Sequence, residues 1–178
     1  MFAEKETLLK KVKNYYIMDE KNFGGYAISI EMYYWILENI PKGKTILELG
    51  SGKGTVELSE HYKIYSIEHD KRWLGYAEKA NYIYAPIFQY KKYKWYSIER
   101  IRHGIPKNYD LLLVDGPNGY IGREGFLDNI RFFKTDIPII IDDTQREKYV
   151  KICDFIVENY NKKAINIQGG NKQFTVLL

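Results

Sequence analysis

The sequence predicts a doubly wound α/β sheet, and three observations carry that prediction. Short, almost unbroken apolar runs alternate with stretches of helical periodicity, the order expected when parallel strands are covered on both faces. The first run, TILEL, leads straight into a glycine-rich loop, GSGKG. The last two runs, AINIQ and QFTVLL, flank GGN with no room for a crossover helix, so they read as an antiparallel hairpin that closes the sheet.

Each element follows in order. Residues 1–40 read as a helical cap that includes ISIEMYYWILENI, and residues 41–178 as the core of one domain. The strand candidates are TILEL (45–49), KIYSIE (63–68), NYIYAPI (81–87), DLLLVD (110–115) and IPIIID (137–142). Between them TVELSEHY, KRWLGYAEKAN, a stretch over 91–102 and EGFLDNIRFF read as helices. The final helix, QREKYVKICDFIVENY, carries Tyr149, Ile152, Cys153, Ile156 and Val157 at the spacing of one helical face.

Composition narrows the function classes. At 178 residues the chain suits one domain with a real core, and 45% hydrophobic with 28% charged residues is ordinary for a globular protein. The single cysteine, Cys153, excludes an internal disulfide and a cysteine-based zinc site, and its apolar helical setting reads as a buried thiol. No apolar run approaches the roughly 18 residues of a membrane span. The first residues, MFAEKETLLKKVKNYY, lack the apolar core of a signal peptide, so the expectation is a cytoplasmic protein with no membrane partner. Lys91, Lys92 and Lys94 alternate with Tyr90, Tyr93, Trp95 and Tyr96. Such a stretch suits either a nucleic-acid surface or a partly buried amphipathic element, and the second is preferred because aromatic residues make up 16% of the whole chain.

The loop ILELGSGKGT (46–55) chooses among nucleotide chemistries. A phosphate-binding P-loop needs Gly-Lys-Ser/Thr, but Gly54 follows Lys53, and position 47 is Leu47 instead of glycine. The dinucleotide fingerprint fits Gly50 and Gly52 but fails at Thr55. What is left is Glu48-x-Gly50-x-Gly52-x-Gly54, joined by a second acid, Glu68, about 20 residues on at the end of the next strand.

This constellation resembles the first motif of class I S-adenosylmethionine-dependent methyltransferases, and the five strands with their closing hairpin resemble that family over most of the chain, which implies the sheet order 3-2-1-4-5-7-6 with strand 7 antiparallel. The resemblance implies that Gly50, Ser51, Gly52, Gly54 and Thr55 approach the methionine part of S-adenosylmethionine. It also implies that Glu48 governs its amino group and that Glu68, beside His69, accepts from the ribose hydroxyls. The family often has an Asp near the adenine amino group; here YAPI puts Ala85 there, so backbone groups are expected to serve instead.

The acceptor is read from three other acids. VDGPNGY ends with Asp115 after the fourth strand, and IIIDDT places Asp142 and Asp143 after the fifth. The Asn/Asp-Pro-Pro-aromatic motif of base-directed amino methyltransferases is missing. Neighbouring strands lie about 4.8 Å apart, so the three carboxylates converge at the carboxyl edge, where they repel unless protonated or bridged by a cation. Hard oxygen ligands suit Mg²⁺ or a similar divalent ion. The pattern resembles metal-dependent O-methyltransferases acting on sugar hydroxyls, and VDGP…GR is similar to glucuronoxylan O-methyltransferases. It implies a metal on Asp115, Asp142 and Asp143, with Asp115, Asp142 and Arg146 serving catalysis and Asp115 also bordering the cofactor. Two other readings stay open: a metal-free orienting or base role for Asp115, and a structural role in which Thr144-Gln-Arg-Glu147 caps the last helix. Arg123 and Arg146 are candidates for clamping an anionic group or for pairing with nearby acids. NFGGYAIS (22–29) is a candidate lid, or simply a loop between helices.

The expected activity is methyl transfer from S-adenosylmethionine to a hydroxyl of a sugar or other small polar acceptor, with nucleic acid disfavoured and a homodimer as the candidate assembly. The alternatives are an aminopropyltransferase-like enzyme and a non-catalytic S-adenosylmethionine-binding module.

Overall fold

The computed structural model describes residues 27–170 and 172–178. Seven strands form one sheet: β1 (Thr45–Leu49), β2 (Lys63–Glu68), β3 (Asn81–Tyr84), β6 (Leu111–Val114), β7 (Ile139–Ile141), β8 (Ala164–Gly169) and β9 (Lys172–Leu177). Their spatial order is β3-β2-β1-β6-β7-β9-β8, and β4 (Ile87–Gln89) pairs with β5 (Lys94–Tyr96) in a separate two-stranded ribbon. Once that ribbon is set aside, the expected order is the observed one. The strands from β3 to β7 are parallel, and β9 runs antiparallel to both β7 and β8.

Strand burial explains the unbroken apolar runs. Every residue of Leu111–Val114 and of Ile139–Ile141 is fully buried, because helices cover both faces. On one face α1 (Ile30–Asn39) packs Met32 and Ile36 against Ile46, Leu113 and Ile140. Ser29 caps this helix, its hydroxyl accepting from the Met32 N–H at 3.2 Å. On the other face lie α3 (Ile98–Gly104), α4 (Gly125–Asn129) and α5 (Glu147–Tyr160), with Ile101, Phe126, Tyr149, Ile152, Cys153 and Ile156 in one cluster with Leu112 and Val114. α2 (Lys53–Ser59) starts directly from the glycine loop.

Register sets the site. Leu49 pairs with Ile67 and Val114, and Val114 pairs with Ile141. The next residues, Gly50, Glu68, Asp115 and Asp142, therefore form one row along the carboxyl edge.

Three expectations need correction. KRWLGYAEKAN is a chain of turns, not a helix: its hydrogen bonds span three residues, as from Trp73 N–H to Asp70 O, and Gly75 sits at φ +79°. The strand in NYIYAPI stops at Tyr84, because Pro86 has no N–H to continue the ladder. The stretch over 91–102 splits into β5 and α3, with Ser97 capping α3 through the Arg100 N–H. Trp95 and Tyr96 are fully buried, and the half-buried Tyr90 and Tyr93 pack against the core. Of the candidate lid, residues 22–26 lie outside the described residues, as does most of the cap; Ala27 and Ile28 are buried.

Candidate functional site

The glycine loop is built by close backbone approach. Gly50 has φ +89°, and a Cβ there would stand 2.9 Å from the Gly116 nitrogen. Both features require glycine. Gly54 lies under Ile28, whose Cγ1 would be 2.6 Å from a Cβ. Ser51 is half-buried and Lys53 exposed, so the lysine between the glycines faces solvent.

The two glutamates of this half are satisfied locally. The Thr55 hydroxyl donates to Glu48 Oε2 at 2.8 Å and accepts from the Gly52 N–H at 2.9 Å. Burial pushes Glu48 up to about 8; hydrogen bonds from Thr55 and Ser66 oppose that rise, and the charge of Glu68 adds to it. Glu68 Oε2 accepts from the Ser51 N–H at 2.8 Å, and Oε1 accepts from the N–H groups of His69 at 2.6 Å and Asp70 at 2.7 Å. The His69 ring nitrogen Nδ1 lies 2.9 Å from the same oxygen. Burial alone would raise Glu68, but hydrogen bonds from His69, Asp70 and Ser51 outweigh it and hold the carboxyl below its usual value. Ser51 Oγ lies 3.0 Å from the Tyr82 hydroxyl. Ala85 is buried, its N–H bonded to Glu68 O at 2.9 Å, so it extends the β2–β3 ladder.

The three aspartates do converge. One carboxylate oxygen from each of Asp115, Asp142 and Asp143 lies within 4.8 Å of the others. Two cations of the chain meet them. The buried Arg123 guanidinium donates to the carbonyls of Val114, Asp115 and Asp142, to Asp115 Oδ1 at 3.1 Å and to Asp143 Oδ2 at 3.3 Å. It stacks 4.4 Å from the Tyr149 ring centre. Lys172 Nζ donates to Asp142 Oδ2 at 3.1 Å and to Ala27 O at 2.8 Å, and lies 3.7 Å from Asp143 Oδ1. Burial pushes Asp115 well above the usual carboxylate range, as does the charge of Asp142, against the pull of Arg123 and Lys172. Burial works against charge on Lys172, yet Asp142, Asp115 and Asp143 outweigh it and raise the ammonium above its usual value. Asp143 sits at φ 61°, a left-handed conformation that Asp tolerates better than most residues.

Arg123 takes the second of its two expected roles: it is turned inward, paired with Asp115 and Asp143 as a tie across the ends of β6 and β7. One sequence reading changes here. Thr144 does not cap α5: that helix starts at Glu147, and the Thr144 hydroxyl bonds to Thr175 at 2.9 Å. Arg146 stays on the rim, partly exposed and 3.9 Å from Asp143 Oδ2. Sequence reasoning missed Lys172, whose only signal is that an antiparallel strand starts where its parallel neighbours end.

A divalent ion is compatible with the donor set. The trio offers hard oxygens from three strand-end positions, and Asp142 Oδ1 is buried without a hydrogen-bond partner among the described residues. The two halves meet where the Gly50 and Gly116 backbones touch, with the Gly116 N–H donating to Leu49 O at 2.5 Å.

The fold has relatives among solved structures. A candidate O-methyltransferase from Klebsiella pneumoniae aligns over 97% of this chain and 88% of its own, with a TM-score of 0.58 and 15% identity. An S-adenosylhomocysteine-bound methyltransferase from Podospora anserina aligns over 95% and 86%, with a TM-score of 0.56 and 13% identity. An rRNA methylase from Streptococcus thermophilus aligns over 86% and 98%, with a TM-score of 0.58 and 13% identity. No protein-family model and no curated protein matches the sequence. The chain has the Rossmann-like fold of class I methyltransferases. Among the described residues no helix is long and apolar enough to cross a membrane.

Proposed function

We propose that this protein transfers a methyl group from S-adenosylmethionine to a hydroxyl of a sugar or another small polar acceptor. The observation that carries the reading is the row Gly50, Glu68, Asp115 and Asp142 on one carboxyl edge, which puts a two-acid glycine loop beside a cluster of oxygen ligands. In the reaction the methyl carbon–sulfur bond breaks with its electron pair staying on sulfur, a bond from the acceptor oxygen to that carbon forms, and the hydroxyl proton passes to a base.

The residues of the chain divide that work. Glu68 meets the ribose hydroxyls through the lone pairs its three backbone partners leave, and the Gly50–Thr55 loop admits the methionine part. Glu48 supplies the acid beneath its ammonium. Asp115 borders both ligands and takes the acceptor proton, and Arg146 steers an anionic group on the acceptor from the rim. Asp115, Asp142 and Asp143 are the residues that would hold a divalent ion, which would supply a Lewis acid to lower the pKa of the acceptor hydroxyl. Arg123 and Lys172 favour a second, metal-free version, because the chain already balances most of the negative charge itself.

Titration calorimetry with S-adenosylmethionine tests the donor; no measurable binding by the purified protein overturns the reading. Labelled-methyl transfer to a panel of glycans and polar metabolites, with and without chelator, tests the rest. Loss of turnover with chelator and return with Mg²⁺ or Mn²⁺ selects the metal version; turnover unchanged by chelator selects the other. Binding without transfer to any acceptor selects a non-catalytic module.

A further inference from the structure

The β4–β5 ribbon delivers one group to the site that the reading above leaves unused. Tyr96 is its last residue, and its side chain is fully buried. The backbone there is bolted down on two sides. Trp95 packs so closely on Gly125 that a Cβ at that glycine would stand 2.6 Å from the indole, and the Tyr90 hydroxyl donates to the Tyr96 carbonyl at 3.3 Å. The ring of Tyr96 meets His69 edge-on at 5.8 Å and Trp95 edge-on at 5.1 Å. The position of the hydroxyl is therefore set by rigid neighbours.

That hydroxyl lies against the Gly116 Cα, so near that a Cβ at Gly116 would overlap it, and Gly116 in turn touches Gly50. It thus sits at the junction of the glycine loop and the Asp115 loop. Burial pushes this hydroxyl well above its usual value; the charges of Glu68, Asp115 and Glu48 add to the rise and that of Arg123 opposes it. Yet it has no hydrogen-bond partner among the described residues. A buried polar group without a partner is destabilising, and phenylalanine would fill the same space without that cost.

We propose that the Tyr96 hydroxyl is a positioning donor for the methyl donor itself, giving its hydrogen bond to an oxygen or ring nitrogen of S-adenosylmethionine laid over the Gly50–Gly116 contact. Glu68 is held below its usual value and is a charged acceptor at this edge, so a neutral donor nearby complements its chemistry. The inference rests on the methyltransferase reading and assigns it a residue outside the glycine-loop motif.

Tyr96→Phe separates this role from a structural one, because it removes one oxygen and keeps the ring. The unliganded variant should unfold at the same or higher urea concentration than wild type, since an unsatisfied group has gone. Its dissociation constant for S-adenosylmethionine, by calorimetry, should rise about 3- to 10-fold, the loss of one hydrogen bond. Binding by wild type with unchanged affinity in Tyr96→Phe overturns this inference alone and leaves the methyltransferase reading standing. No binding by wild type overturns both.

Discussion

The two halves of the carboxyl edge hold comparable numbers of acids by opposite means. Around the glycine loop, Glu48 and Glu68 are satisfied by a hydroxyl and by backbone N–H groups from residues 51 to 70, nearly all close in sequence. Around the acceptor side, Asp115, Asp142 and Asp143 are satisfied by full cations brought from Arg123 and Lys172. Dipoles leave a carboxylate free to respond to a ligand, whereas paired charges in a buried setting tie folding to the pairing. The difference teaches that the first half is held by its own nearby backbone, whereas the second is a joint between distant parts of the chain.

The largest test of that contrast is Arg123→Met. Removing one partner of a buried ionic cluster leaves its acids uncompensated and typically costs about 3–5 kcal/mol. Urea unfolding should show a loss of that size; a loss under about 1 kcal/mol would mean the joint is not there.

Next comes pH. Glu48 is an acid with its folded value raised from 4.5 to about 8, so the unfolded chain gives up its proton first. Stability from this group is full below about pH 4.5 and falls as pH rises towards 8, by roughly 2–3 kcal/mol between pH 5 and pH 7. Glu48→Gln should flatten that slope relative to wild type, and identical slopes would contradict the assignment.

Gly50→Ala should cost about 2 kcal/mol, from a left-handed backbone and a Cβ pressed on Gly116, and should weaken donor binding by at least tenfold. Equal affinity would show that the loop tolerates a side chain. At the small end, Asp143→Asn should keep more stability than Asp143→Ala by about 1 kcal/mol, because asparagine also tolerates φ 61°. Lys53→Ala should stay within about 0.5 kcal/mol and leave donor affinity unchanged, as expected for an exposed side chain.

Sequence was most informative where contacts are short in range. TILELGSGKGT and YSIE present the glycine loop and both its acids within 25 positions or so, and strand register does the rest. The doubly wound sheet and its closing hairpin were legible from continuous apolar runs, and the strand order came with the resemblance carried by the glycine loop. Lys172 was not legible: it lies far along the chain from Asp115, and only the antiparallel sense of β9 brings its first residue to the carboxyl edge. The helix expected over KRWLGYAEKAN failed for the reverse reason, since Gly75 and the turns around it override a local pattern that looks helical. Tyr96 was hidden among similar residues; nothing in KKYKWYS says which aromatic ring turns inward towards Gly116.

The contact between Gly50 and Gly116 also bears on how the protein can change over time. Neither position can gain a side chain without displacing the other, so the pair blocks single-step drift on the donor side of the junction. Beyond Pro117 the chain turns outward: Asn118 to Tyr120 are exposed, Tyr120 wholly so, before Gly122 closes the loop at φ +89°. If the proposed methyl transfer holds, that exposed turn is the natural target for redirecting the acceptor while the Gly50–Gly116 contact stays untouched.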